Sequence, residues 1–274
     1  MNKNKYSLQI KCPCNSSVSK FFYEYKKKPK LETNFNLEGQ QYLRYYKQCI
    51  SCKHLFAYHN IDLSNLYNND YLDATYSGVA GMKKRFDYIM KLPLKKSDNK
   101  QRVKRILNFL KSYSSSNSKN LLDVGAGTGV FAKSFQLHKW NVHTIETDLR
   151  TVNYLNGLGI RSINKDIRKI KNFGKVKFDL ITFNKVLEHV EEPISLLKSS
   201  LKFLKKNSLV YLEVPDVSAS IQGKNREEFF IDHHHIFSVT SASIMVQKAG
   251  LHVKQISSFV EPSGKYTIAL FASN

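Results

Sequence analysis

The stretch "FFIDHHHIFSVTS", residues 229–241, sets three histidines beside an aspartate in a chain of 274 residues. A neutral imidazole accepts a proton near pH 7, and a neighbouring carboxylate stabilises the imidazolium that results, so a general base is one reading, with His233 ahead of His235 and His234. A shared metal ion is a poor fit, because neighbours on an extended chain point to opposite faces and at most His233 and His235 could share one. A loop whose rings bond to backbone groups fits the same letters equally well.

All four cysteines, Cys12, Cys14, Cys49 and Cys52, fall within the first 52 residues. In a reducing compartment two close pairs suit a tetrahedral zinc ion better than two disulfides, and four thiolates tie together a segment too small for a core of its own. Cys49-x-x-Cys52 has the spacing of a zinc knuckle, whereas Cys12-Pro-Cys14 is tighter than usual. His54 could replace one sulfur.

A third group lies in "LLDVGAGTGVFAKSF", which runs through Asp123 to Gly125, Gly127 and Gly129. Glycines there let the backbone turn sharply and approach a ligand without a Cβ in the way. Val130 stands where a nicotinamide-binding loop needs its last glycine, and no Gly-Lys-Ser/Thr follows, which excludes a phosphate-cradling nucleotide loop. Glu146 in "HTIETD" comes about 23 residues after Asp123, near the spacing at which an acid on the second strand reaches ribose hydroxyls. Asp166 in "INKDIRK" is placed for an adenine amino group.

These groups need strand tips that converge. The short apolar runs "NLLDVGAG", "WNVHTIETD", "IRSINKD", "FDLITFNKV" and "SLVYLEVPD" each end in polar or acidic residues. They alternate with helical stretches such as "VFAKSFQLHK" and "PISLLKSSLKFLKK". That alternation predicts an α/β fold, a doubly wound parallel sheet covered on both faces, with ligands at the carboxyl ends of its strands. "LHVKQISSFV" and "YTIALFAS" read as a hairpin-like pair across "EPSGK". "MKKRFDYIMKL" and "KQRVKRILNFLKSY" read as helices, and "SYSSSNSKN" as a polar loop. The expected organisation is a zinc module over 1–68, a helical lid over 69–118 and the sheet domain over 119–274.

Taken together, "LLDVGAGTGVFA", "VHTIETD", "NKDI" and "FDLITFNKVLEHVEEP" resemble the class I S-adenosylmethionine-dependent methyltransferases across residues 119–274. The resemblance implies a Rossmann-like seven-stranded sheet whose last strand is antiparallel. It places Gly125, Ala126 and Gly127 against the methionine part of the cofactor, Asp123 under the loop, Glu146 on the ribose, and Asp166 with Ile167 at the adenine. Asn184 would face the methionyl end, and Gly129 and Thr147 complete the cofactor-binding set.

Residues 12–77, "CPC…YYKQCISCKHLFAYHNIDLSNLYNNDYLDATYS", resemble the N-terminal part of bacterial methyltransferases of sugar and surface-polysaccharide biosynthesis, including nucleotide-sugar C-methyltransferases. In that likeness both cysteine pairs bind zinc, a tyrosine after the module (Tyr76, with Tyr71 nearby) reaches the acceptor, and an acid-histidine pair, Asp232 and His233, faces the sugar. The first pair departs from the usual spacing, and the chain stops where larger C-methyltransferases continue, so C- and O-methylation both stay open. Glu188 and His189 are similar to part of a Glu-x-x-Glu-His metal motif of quinone O-methyltransferases. Lys185 occupies its first position, and the two are therefore read as lining the pocket or packing under it.

Composition frames these readings. An apolar share of 42%, with 15 Tyr and 17 Phe, is that of a globular protein. No apolar run approaches the roughly 20 residues of a membrane span, and no secretory signal is visible, so a cytoplasmic protein is expected. A formal net charge of +21 suits anionic partners, but lysine is dispersed along the whole chain and picks out none. The acceptor expected is a small sugar or nucleotide sugar. The alternatives are an RNA methyltransferase, not favoured because no aromatic-basic RNA motif stands out, and a non-catalytic protein that retains the fold.

Overall fold

The computed structural model describes residues 8–35, 37, 39–59, 61–63, 71–113 and 119–274, so parts of the expected zinc module (1–7, 36, 38, 60 and 64–68), the start of the expected lid (69–70) and most of the polar loop (114–118) lie outside the described residues. Among the described residues no helix is long and apolar enough to cross a membrane.

Strands β5 (Asn120–Val124), β6 (Asn141–Glu146), β7 (Arg161–Asn164), β8 (Phe178–Asn184), β9 (Leu204–Pro215), β11 (His252–Val260) and β12 (Tyr266–Ser273) form one sheet. Its order is β11-β12-β9-β8-β5-β6-β7. The β5–β6, β6–β7, β5–β8 and β8–β9 pairs are parallel, while β12 runs antiparallel to β9 and β11. The chain leaves β5 toward β6 and β7 and returns on its other side as β8, which opens a crevice at the carboxyl end of β5.

Strand residues alternate between two cores, as a period of two requires. Leu122, Ile181 and Val210 face α6 (Pro193–Ser200) and α7 (Val239–Lys248). Leu121, Leu180 and Leu209 face α3 (Asp98–Tyr113), α4 (Val130–Leu137) and α5 (Leu149–Gly157). The helix read through "KSSLKFLKK" ends sooner than its pattern suggests: a short 3-10 turn follows Ser200, and β9 starts at Leu204, which pairs with Phe178. Burial of Leu204 in the sheet and the Lys205 to Asp179 ion pair (2.8 Å) outweigh local helix preference.

Ahead of this domain, β1 (Leu8–Gln9), β2 (Ser19–Tyr25), β3 (Arg44–Cys49) and β4 (Leu55–His59) make an antiparallel sheet in the order β1-β4-β3-β2. A further strand, β10 (His235–Ile236), comes from the histidine stretch and pairs with Phe56 and Leu55 of β4. The module's apolar residues Tyr25, Tyr46, Leu55 and Ala57 pack on Ala219, Phe229 and Ile236 of the larger domain. So small a sheet cannot bury enough apolar surface alone, and it shares its core. Helices α1 (Tyr71–Tyr76) and α2 (Gly78–Lys91) bridge the two parts, with α2 packing on α4 and α5.

Candidate active site

The tips of β5, β6, β7 and β8 open into a cleft of about 2310 Å³ roofed by α1 and α2. That is larger than the few hundred to roughly 1,000 Å³ of a single small-ligand pocket, and leaves room for two molecules side by side.

On the cofactor side, Asp123 ends β5 fully enclosed and accepts from Thr182 Oγ1 (2.7 Å) and Asn184 Nδ2 (3.0 Å). Burial pushes its carboxyl up to about 6, against the pull of those bonds. Gly125 turns the chain at φ +74°, where a Cβ would lie 2.6 Å from Val186 Cγ2. Gly127, two residues on, donates its N–H to Glu146 Oε1 (2.5 Å), and the Tyr76 hydroxyl sits just above it. Glu146, at the tip of β6, is held up at about 7 by burial, with the Gly127 N–H opposing. Gly129 starts α4 at φ +78°, and a Cβ there would meet Leu155 Cδ2 at 2.6 Å, so its role is close helix packing. Ala126 lines the cleft beside it.

Thr147 accepts from Asn164 Nδ2 (2.8 Å), which ties the tips of β6 and β7 together. Asp166 caps the turn after β7. Burial raises its pKa, but the Arg168 guanidinium (2.5 Å) and backbone N–H outweigh this and hold it below the usual carboxylate range. Ile167 is buried next to it. Asn184 Oδ1, at the tip of β8, is buried with no hydrogen-bond partner among the described residues. The glycine cradle, the carboxylate of Glu146 and this orphaned oxygen fit a nucleoside-bearing amino acid such as S-adenosylmethionine. The lid is held over them by an ion pair between Asp73 of α1 and Arg150 of α5 (2.7 Å).

On the opposite wall stand Asp232, His233, Glu188, His189 and Tyr71. His233 is only half-buried, and its Nδ1 lies 2.9 Å from the Glu228 carbonyl. A carbonyl can only accept, so Nδ1 carries the hydrogen, and in the neutral ring Nε2 is the nitrogen with the lone pair. His189 Nδ1 donates to the Asp232 carbonyl (3.0 Å) and lies 3.5 Å from its carboxylate, and its ring meets that of His233 edge-on at 4.7 Å. Asp232 thus neighbours His189 more closely than sequence adjacency to His233 suggests. Glu188 is wholly buried, neither of its oxygens has a side-chain or backbone partner at hydrogen-bonding geometry among the described residues, and burial raises its pKa. Glu188, His189 and His233 offer ligand atoms within 4.8 Å of one another, a set that could hold a metal ion.

The structure brings together His233, Asp232 and the cofactor-side residues around one cleft, but not His235. That ring is fully buried, with Nε2 bonded to the Glu191 carbonyl (3.2 Å) and Nδ1 to His54 (2.9 Å), which leaves it no nitrogen for an acceptor molecule. His234 is likewise enclosed. Tyr76 stands over the glycine loop, on the cofactor side rather than the acceptor wall. His54 cannot replace a sulfur, since its second nitrogen faces Ser241 Oγ (3.1 Å). The four cysteines do converge: Cys12 lies 3.4 Å from Cys14 and 3.2 Å from Cys52, and Cys14 lies 3.5 Å from Cys49.

Sequence reasoning missed a charged network behind the methionyl end. Glu213 of β9 is fully buried and bound by Arg102 (2.5 Å) and Arg105 (2.8 Å), with the Tyr211 hydroxyl donating to it. Burial alone would raise its carboxyl, yet the Arg102 guanidinium, with the Lys185 charge and the Tyr211 hydroxyl adding to it, holds it at about 2. The signal was available in "LVYLEVP", an acid inside an otherwise apolar strand.

A sheet with this order, one antiparallel strand at β12, a glycine loop after β5 and an acid at the end of β6 define the class I S-adenosylmethionine-dependent methyltransferase fold. Residues 96–256 match the family described as "Methyltransferase domain", and the chain belongs to that family. It is 25% identical over 163 residues to the ubiquinone biosynthesis O-methyltransferase of Hydrogenovibrio crunogenus, covering 57% of this chain; the match spans 62% of that relative's length. Among solved structures it is similar to magnesium protoporphyrin IX methyltransferase from Synechocystis PCC 6803 with bound SAH. The TM-score is 0.56 at 13% identity, over 77% of this chain and 99% of that one. The plantazolicin methyltransferase BpumL with SAH matches at TM-score 0.56 and 15% identity, over 77% and 94% of the two chains. A SAM-dependent methyltransferase from Aquifex aeolicus matches at 0.50 and 21%, over 71% and 97%. At these identities the structural likenesses speak for the fold alone.

Proposed function

We propose that the chain transfers the methyl group of S-adenosylmethionine to a hydroxyl oxygen or an activated carbon of a small, sugar-type acceptor bearing phosphate, with His233 as the base. The bound cofactor supplies an electrophilic methyl on sulfonium. Gly125 and Gly127 offer backbone to it, Glu146 accepts from its ribose hydroxyls, Asp166 and Ile167 border its adenine, and Asn184, steadied by Asp123, receives its amino group. His233 Nε2 takes the acceptor's proton as the displacement proceeds in line, and the Asp232 carboxyl group beside the two imidazoles favours the cation formed.

The observation that carries the reading is the His233 tautomer: with Nδ1–H committed to the Glu228 carbonyl, the basic nitrogen is the one left for the cleft. A phosphorylated acceptor is supported by the cations Lys84, Arg85 and Lys96 along the cleft. Zinc on Cys12, Cys14, Cys49 and Cys52 is supported by sulfur contacts of 3.2–3.5 Å, close to the roughly 3.8 Å edge that four sulfurs about 2.3 Å from a common ion would make.

Incubation with methyl-labelled cofactor and a panel of nucleotide sugars, glycans, dihydroxyaryl quinone precursors and RNA tests the acceptor. Label on a nucleotide sugar, lost in His233→Ala while SAH still binds, is expected. Label on the quinone precursor or RNA alone would replace the sugar reading. Metal analysis of the purified chain should find about one zinc, and a metal-free protein of unchanged melting temperature would remove that element.

A further inference from the structure

The acceptor-side segment, residues 230–238, is held from two directions. The methyltransferase domain grips it through side chains and backbone: His233 Nδ1 to the Glu228 carbonyl (2.9 Å), His189 Nδ1 to the Asp232 carbonyl (3.0 Å), His234 N–H to the Glu188 carbonyl (2.8 Å), and, further along, Phe237 N–H to the Pro215 carbonyl (2.9 Å) with the Phe237 carbonyl accepting from Val217 N–H (2.9 Å). The N-terminal module adds a second set of bonds to the same stretch of backbone. Glu32 Oε2 accepts from Ile231 N–H (2.8 Å), and the buried Tyr46 hydroxyl lies 2.7 Å from the His233 carbonyl and 3.2 Å from that of Phe230. Ala57 N–H donates to the His234 carbonyl (2.9 Å), and β10 pairs with β4. Ser238 Oγ donates to the Cys52 carbonyl (2.5 Å).

A line of rings completes the grip. The Glu191 carbonyl can only accept, so His235 carries its hydrogen on Nε2 and accepts at Nδ1 from His54 Nε2–H (2.9 Å). His54 Nδ1 is then the acceptor facing the Ser241 hydroxyl (3.1 Å). The links from Glu191 through His235 to His54 each have one direction in the neutral rings, while the single Ser241 hydroxyl hydrogen is shared between His54 Nδ1 and the Ser238 carbonyl (3.1 Å). A buried chain of this kind loses more than one bond's worth of order when a member is removed.

We propose that Tyr46 and His54, neither of which lines the cleft, are positioning residues for the methyl-transfer reaction: together they fix the peptide at His233 and the strand after it, so that the ring presents Nε2 to the acceptor. The inference rests on the reading of His233 as base. Tyr46 acts through the carbonyl of His233 itself. Without that donor the peptide between His233 and His234 keeps only its N–H bond to the Glu188 carbonyl, its carbonyl side loosens, and the ring is less firmly seated on the Glu228 carbonyl. Free histidine in water favours hydrogen on Nε2, so a loosened ring reverts to the tautomer with no basic nitrogen toward the acceptor. The N-terminal module is then half of the acceptor wall rather than an appendage.

The test uses the full chain as wild type and Tyr46→Phe, each labelled with nitrogen-15 histidine. The His233 ring is read by long-range proton–nitrogen correlation and assigned through His233→Gln. Wild type is expected to show His233 with hydrogen on Nδ1, and Tyr46→Phe a shift toward Nε2–H. Turnover of the acceptor found in the panel should fall about tenfold, the weight of one buried hydrogen bond, while KM for S-adenosylmethionine and SAH affinity stay within about twofold. An Nδ1–H signature and turnover unchanged in Tyr46→Phe overturn the proposal. Should that variant fail to fold, the same comparison is made with His54→Gln, and the same null result overturns it. The tautomer is read without cofactor or acceptor. A wild type that methylates nothing therefore refutes the reaction, whereas an unmoved tautomer refutes the positioning.

Discussion

Wild-type cofactor affinity should depend on pH, and replacing Glu146 by Gln should abolish that dependence. Burial holds the Glu146 carboxyl up at about 7 in the empty cleft. Two ribose hydroxyls are donors, so the cofactor selects the ionised form, and apparent affinity scales with the fraction ionised. At pH 8 roughly ten molecules in eleven carry the carboxylate, and at pH 6 roughly one in eleven, so SAH should bind about tenfold more weakly at pH 6 than at pH 8. Gln keeps the shape and one acceptor oxygen but has no proton to lose. Its affinity at pH 8 should fall by about ten- to a hundredfold, the range for losing hydrogen bonds to a charged group, and be flat across this interval. Isothermal calorimetry with SAH at several pH values measures both. Asp123 sits nearby with its own carboxyl raised to about 6. If Glu146→Gln retains the wild-type pH slope, the titrating group is another one, and the assignment of the ribose to Glu146 fails with it.

Gly125→Ala combines a φ of +74° with a Cβ placed 2.6 Å from Val186, and should cost about 2 kcal/mol in urea denaturation and weaken SAH binding in the same variant. Glu32→Gln leaves the buried Arg44, now 2.7 Å from the Glu32 carboxylate, without its counter-charge; a loss of about 3 kcal/mol in the same assay is expected, and an unchanged midpoint would refute it. His59 and His235 are both held down to about 4, by burial first, with the Arg44 charge adding to it at His59. The unfolded chain takes up these protons below about pH 6.5 and the folded chain refuses them until about 4. The associated stability is therefore complete above about pH 6.5 and lost as pH falls toward 4, by roughly 3 kcal/mol for each ring, read from urea midpoints across that window.

Much of this site could be read in one dimension because its constraints are local. A glycine loop between an apolar strand and a helix, an acid at the end of the next strand and alternating buried runs follow from backbone sterics and sheet periodicity. Such rules operate over a few residues, which is why Asp123, Gly125, Gly127 and Glu146 were legible before any contact was known. The four cysteines were equally visible as two close pairs, though not their convergence.

What the folded chain alone decided is which histidine has a nitrogen to spare. In sequence His233 and His235 are alike. In space one ring gives its Nδ1–H to Glu228 and keeps Nε2 for the cleft, while the other is locked between Glu191 and His54, about 180 residues away in the chain. Pairing of β10 with the N-terminal sheet, the cover that Tyr46 and Glu32 lend the histidine stretch, and the seating of Glu213 between two arginines belong to the same kind. A carbonyl or guanidinium brought in from a distant segment sets a tautomer or a charge, and no spacing along the chain records which segment will arrive.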